Sequence, residues 1–95
     1  MAAVYAYALD STDNPCPPEL EAAKAVERYG VEAIYGRTLT VREARFLTVA
    51  NRVYDAFNAK AAVENQAEWA QQHPGDNALL EQAQLAMEAQ DAITS

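Results

Sequence analysis

Apolar residues recur at helical spacing along most of the chain, and the first such stretch is short. Its apolar positions lie three residues apart: Leu20, Ala23, Val26 and Tyr29. Pro18 suits the first position of a helix, and Gly30 suits the left-handed conformation that ends one. The pattern predicts a short helix over residues 18–29. The next segment, residues 31–36, fits either a single helical turn or a strand, and we favour the turn.

The longest predicted helix begins at a capping box. Between Thr40 and Glu43 the chain has the pattern in which a threonine oxygen accepts from the third amide and the glutamate reaches back. From there to Gln72 the sequence contains no proline or glycine and is rich in good helix formers. We therefore predict one uninterrupted helix over residues 40–72, which would be roughly 45 Å long.

A His-Pro-Gly-Asp corner at residues 73–76 separates this helix from the last one. Asp76 or Asn77 can cap a helix over residues 77–93, since both side chains accept hydrogen bonds from the first free amides. Two long helices joined by a four-residue turn fold back on each other. The predicted arrangement is a long antiparallel helical hairpin.

The N-terminal segment is ambiguous. Residues 1–10 include Val4, Tyr5 and Tyr7, a content typical of a strand, although a buried helical turn also fits. Three prolines within residues 11–18 favour a loop, because proline removes backbone donors. The predicted fold is mainly α: a short N-terminal extended segment and a short helix, followed by the long antiparallel helical hairpin.

Length and composition place these elements in a single small helical domain. The chain has 95 residues, of which 51% are hydrophobic, enough for one modest core. Its expected parts are residues 1–17, 18–36, 40–72 and 77–93. One cysteine and one histidine exclude an internal disulfide and a Cys/His zinc site. No apolar run is long enough to span a membrane, so we expect no membrane association and a cytoplasmic location.

Charge is distributed unevenly along the chain. The formal net charge is −7, yet residues 37–60 hold five basic and two acidic side chains, whereas residues 61–95 hold six acidic side chains and no basic one. Arg42, Arg45 and Arg52 fall on one face of the predicted long helix. The net charge argues against direct nucleic-acid binding, because it repels phosphate at long range.

The predicted long helix has an apolar face that so short a chain has little else to cover. We therefore predict that part of it contacts a partner through a set of apolar and basic residues: Phe46, Val49, Val53, Phe57, Trp69, Arg42, Arg45 and Arg52. The alternative is that the apolar members are simply the core of the hairpin. For Trp69, packing on Leu79 or Leu80 across the turn is the favoured of the two interpretations.

Candidate chemistry is sparse, so we predict no catalytic residue, no cofactor and no metal ligand. Cys16 lies in a proline-rich loop with no cation firmly placed beside it, and His73 lacks the orienting carboxylate and nucleophile of a catalytic set. Glu64 and Glu68 lie one turn apart without histidine companions. The sequence therefore favours a non-enzymatic interaction or assembly module that presents a helical surface to copies of itself, as a homo-oligomer, or to a larger protein.

An alternative function follows from the acidic C-terminal third of the chain. Its carboxylates could imitate phosphates and occupy the basic groove of a nucleic-acid-binding protein: Glu64, Glu68, Asp76, Glu81, Glu88 and Asp91. On this hypothesis the protein is a small acidic inhibitor or regulator. Such a density of acids is also ordinary for a helical surface, so the interaction module remains the favoured prediction.

Overall fold

The computed structural model describes residues 1–94, which form helices and no strand. This confirms the mainly α prediction. None of these helices combines the length and apolar character that crossing a membrane requires. The helices run, in chain order, over α1 Ala2–Leu9, α2 Pro18–Tyr29, α3 Val31–Tyr35, α4 Val41–Ala61, α5 Gln66–Gln72 and α6 Pro74–Thr94.

The helices α2 and α3 have the predicted bounds. Pro18 occupies the first turn of α2 together with Glu19, where the positive end of the helix dipole favours a carboxylate. Gly30 ends α2 with φ of 91°, and its N–H donates to the carbonyl of Val26. Gly36 ends α3 in the left-handed region, with φ of 68°. The prediction of a helical turn within residues 31–36 is confirmed, and the alternative prediction of a strand is wrong.

The prediction of an extended N-terminal segment is wrong, because residues 2–9 form α1. Half of its residues are alanine, the best helix former, and this outweighs the strand content of its valine and tyrosines. Tertiary packing also favours the helix over a strand. Tyr5 meets Phe57 edge-on at 5.3 Å between ring centroids, and Tyr7 stacks on Tyr54 at 5.9 Å. Val4 of the same helix is fully buried.

The prediction of one uninterrupted helix over residues 40–72 is also wrong. The helix α4 ends at Ala61, and α5 begins at Gln66 after a short break. Asn65 caps α5, since its side-chain oxygen accepts from the N–H of Glu68 at 3.0 Å. The break lets α5 fold against α4 and α6, so that Trp69 joins the core.

The C-terminal helix begins at Pro74, three residues earlier than predicted. Its first turn lies across α4: Arg52 contacts Asp76 at 2.8 Å, and Lys60 donates to Asn77 at 2.9 Å. Two α4 residues about 12 Å apart along the helix thus hold neighbouring α6 residues. The structure does not confirm the predicted long antiparallel hairpin, because α6 packs against α1, α4 and α5 together.

The core lies around α4, which packs against α1, α2, α5 and α6. Its largest fully buried side chains come from three different helices: Leu20, Val4 and Val53. Several other members are alanines, which let helix axes approach closely at the contact. Residues from distant parts of the chain therefore share one core, and this core decides which face of α4 is covered.

Candidate protein-interaction surface

The residues predicted to form an interface divide into two groups. Val53 is 1% exposed and Trp69 is 8% exposed, and Trp69 shares the core cluster with Leu80, as the favoured interpretation of that residue had it. Phe57 is half-buried against Tyr5. These three side chains pack in the core or against it. Their prediction as interface residues is therefore wrong.

The other apolar members lie at the open end of α4. Phe46 is 51% exposed, and Val49 is half-buried below it. Val41, in the first turn, is 77% exposed. Together with neighbours they line a groove of about 550 Å³, here called the α4 groove, which is bounded by Met1, Val41, Arg42, Arg45, Phe46 and Val49. It is an apolar trough with two guanidinium groups on its rim.

The first turn of α4 is held in place by the predicted capping box. The hydroxyl oxygen of Thr40 accepts from the N–H of Glu43 at 3.1 Å, and a carboxylate oxygen of Glu43 accepts from the N–H of Thr40 at 3.0 Å. Arg37 adds two further hydrogen bonds to that carboxylate, at 2.7 and 3.1 Å. These contacts position Val41 and Arg42 on the rim of the groove.

The same contacts shift the titration of Glu43. Hydrogen bonds from Arg37, then those from the backbone and hydroxyl of Thr40, lower the pKa of Glu43 from 4.5 to about 2. The carboxylate therefore stays ionised and keeps Arg37 engaged. Because Arg37 is committed to Glu43, it is not available to a docking partner in the way that Arg42 and Arg45 are.

Met1 forms one wall of the α4 groove, which the sequence did not indicate. The carbonyl of Met1 accepts from the N–H of Tyr5 at 3.0 Å, so the residue is tied to the start of α1. It also lines a second cavity with Val49, Gln82 and Ala86. Its role depends on α1 folding back over α4 and α6, and no local pattern reveals that.

Val41 was missed as well, but a signal for it existed. It directly follows the capping threonine, at the first position of α4. A bulky apolar residue at that position is a candidate for an exposed contact. The helical spacing of apolar residues indicates the buried face of a helix, so it did not indicate Val41.

The predicted arginine stripe is divided by the structure. Arg52 forms an ion pair with Asp76 at 2.8 Å and ties α4 to the start of α6. Within residues 1–94, Arg42 and Arg45 form no ion pair, and both are exposed. Arg52 therefore has a structural role, and Arg42 and Arg45 retain their charge for an external group.

The acidic residues of the alternative hypothesis are spread over separate elements. Glu64 lies in the break after α4, Glu68 lies on α5, and the others lie on α6. Asp76 is neutralised by Arg52. The structure thus divides these carboxylates among a loop and two helices, whereas a phosphate backbone presents one regular row.

The chemically reactive side chains are not brought together. Partial burial, with the charges of Glu21 and Glu19, raises the pKa of the Cys16 thiol and so lowers its thiolate fraction. The ring centroids of His73 and Trp69 lie 4.9 Å apart. In the described part of the chain, no group of three His, Cys, Asp or Glu side chains is placed to hold a metal ion.

Comparison of the chain with known protein families, with curated proteins and with solved structures gave no match. A functional assignment therefore depends on the surface itself. Its clearest chemical feature is the α4 groove, which is lined by exposed apolar side chains and by two guanidinium groups that form no ion pair within residues 1–94.

Proposed function

We propose that the protein is a non-enzymatic interaction or assembly module that docks an acidic, partly apolar helix of a protein partner in the α4 groove. The partner is either a second copy of the chain or a larger protein. The observation that carries this proposal is the open groove itself. In it Phe46 is half exposed and Val41 is largely exposed, beside two arginines that form no ion pair in the described part of the chain.

Phe46 is the natural anchor of such a contact. Its ring is half exposed, so a partner that covers it removes apolar area from water. Its backbone is already fixed within α4, so binding costs no backbone freedom there. Aromatic and arginine side chains dominate the free energy of binding at many protein interfaces. The groove brings both types together.

The two arginines select the charge of the partner. They lie on the rim, where charged groups steer association and fix the orientation of the complex more than they add affinity. A carboxylate of the partner could pair with Arg42 or Arg45, since neither forms an ion pair with another described residue of the chain. The net charge of −7 opposes long nucleic acids, so a protein with local acidic groups fits the groove better than a phosphate backbone does.

A photo-crosslinking amino acid at position 46 tests this proposal. The matched control places the same amino acid at Tyr29, which is also an exposed aromatic residue but lies outside the groove. We expect discrete protein adducts from position 46 after irradiation in cells and none above background from position 29. Equal adduct yields at the two positions would contradict the proposal.

A charge variant tests whether the partner is acidic. Arg45→Glu in the position 46 background should reduce the adducts, since it repels an acidic partner, whereas Arg28→Glu should leave them unchanged because Arg28 lies on α2. Both arginines are exposed, so neither substitution disturbs the core. Circular dichroism of each variant verifies that the helices are retained.

A further inference from the structure

An exposed face of α6 complements the α4 groove. Leu85 is 65% exposed, and Ala89 and Ala92 lie within about 60° of it around the helix. Glu81 and Glu88 adjoin these residues along one edge. We call this surface, formed by Glu81, Leu85, Glu88, Ala89 and Ala92, the acidic α6 face. It has the composition that the α4 groove requires of a partner.

The two carboxylates of this face accept hydrogen bonds from neutral side chains. Glu81 accepts from the amide of Asn77 at 3.2 Å, and Glu88 accepts from the amide of Gln84 at 3.2 Å. Both donors are neutral. Among residues 1–94 neither glutamate forms an ion pair, although Lys60 lines the same cavity as Glu81. Their charges are opposite in sign to those of the α4 groove.

The two surfaces are parts of one continuous strip. Met1 and Val49 line both the α4 groove and the cavity that reaches α6 at Gln82 and Ala86. On the helix, Gln82 and Ala86 lie on the opposite side of Leu85 from the two glutamates. The strip therefore has Arg42 and Arg45 at one end and Glu81 and Glu88 at the other. Its middle is formed by Met1 and by the exposed α6 residues around Leu85.

We infer that this strip is the interface of a twofold homodimer, in which Arg42 and Arg45 of one protomer face Glu81 and Glu88 of the partner subunit. The inference rests on the proposed function and names the occupant of the groove. If the twofold axis passes through the middle of the strip, the basic end of each protomer contacts the acidic end of the other. A surface that is basic at one end, apolar in the middle and acidic at the other is self-complementary under that operation.

Charge complementarity is what favours a second copy over an unrelated protein. A twofold contact uses both ends of the strip at once, whereas an acidic helix from another protein engages the arginines and leaves the glutamates unpaired. Two copies of charge −7 repel at a distance, but at physiological salt this repulsion is screened beyond about 8 Å. The attraction at direct contact persists.

A charge exchange tests the dimer. Sedimentation velocity of the wild-type protein over micromolar concentrations should show a monomer–dimer equilibrium. The double variants Arg42→Glu/Arg45→Glu and Glu81→Arg/Glu88→Arg should each dimerise at least about tenfold more weakly, because like charges then face each other. An equimolar mixture of the two variants should recover the dimer, since each heterodimer contact again joins opposite charges.

Two results would overturn the inference: a wild-type protein that stays monomeric throughout, or a wild-type dimer whose charge variants dimerise normally or fail to recover on mixing. All four substituted side chains are exposed, and thermal unfolding of each variant verifies that the fold is intact. The proposed function fails separately. If position 46 captures only other proteins and the wild type is monomeric, the dimer is refuted while the docking role of the α4 groove stands.

Discussion

The two halves of α4 differ in what covers them, although both carry the apolar spacing of an amphipathic helix. In residues 50–57 the apolar side chains are buried: Val53 is 1% exposed, beneath α1 and α6. In residues 41–49 Leu47 is buried as well, but Val41, Phe46 and Val49 line an open groove, and Phe46 is half exposed. The periodicity of a helix thus identifies an apolar face but not the element that covers it.

The consequence is that the buried side chains of residues 50–57 stabilise the fold, whereas Val41 and Phe46 are open to solvent. A core residue and a groove residue of the same type should respond differently to the same substitution.

The largest effect is expected at Trp69, which extends the covered region beyond the break after α4. Trp69→Ala should lower the free energy of unfolding by about 3–5 kcal/mol, since it leaves a cavity in the core. Phe46→Ala, in the open groove, should lower it by less than about 1 kcal/mol. Urea unfolding followed by circular dichroism measures both. Similar losses for the two aromatics would mean that the groove is covered.

Within α4 itself, the pair Val53→Ala and Val41→Ala removes the same atoms from the two regions. Val53→Ala should cost about 2 kcal/mol, from lost burial and a residual cavity. Val41→Ala should change the free energy of unfolding by no more than about 0.5 kcal/mol, because the side chain is largely in water. A loss at Val41 as large as that at Val53 would contradict the comparison.

The open half of α4 is held by its cap, and this predicts a pH dependence. The folded-state pKa of Glu43 is about 2, below its usual 4.5, so the ionised group stabilises the fold above about pH 4.5. That stabilisation is lost as the pH falls from 4.5 toward 2. The difference in free energy of unfolding between wild type and Glu43→Gln should therefore shrink over this range.

The control for this measurement is Glu32→Gln, on α3, which removes a carboxylate without touching the cap. A gap between wild type and Glu43→Gln that stays constant from pH 7 to pH 2 would refute the role of Glu43 in holding the first turn.

The smallest effect separates the arginines. Arg52→Ala removes the ion pair with Asp76 and should cost about 0.5 kcal/mol, because both side chains are partly exposed. Arg45→Ala should leave the free energy of unfolding unchanged, since the group has no ion-pair partner in the described chain. Thermal unfolding at low salt compares them. A greater loss at Arg45 would show that it belongs to the fold.

Local signals in the sequence predicted several elements correctly. Pro18 and Gly30 bound α2 as expected, and the capping box at Thr40 starts α4. These features are determined by neighbours within a few residues, so a sequence displays them directly. The break after Ala61 also had a local signal: Asn65 with Glu68 three residues later is an N-terminal capping pattern, but the absence of proline and glycine outweighed it.

Other features depend on contacts between distant residues. Whether residues 2–9 were helical depended in part on the rings of Tyr5 and Tyr7 meeting α4. The α4 groove depends on Met1, which reaches it only because α1 packs on α4 and α6. The sequence predicted Phe46, Val49, Arg42 and Arg45 as contact residues, but it could not separate them from Val53 and Trp69, because that separation is made by tertiary packing.

Fluorine NMR tests the difference between the two halves of α4 most directly, because the chain has only two phenylalanines, one in each. With both replaced by fluorophenylalanine, dilute protein should give a large solvent isotope shift at Phe46 and a small one at Phe57. On association the shift at Phe46 should fall while that at Phe57 stays constant. Equal shielding of the two rings in dilute protein would contradict the account.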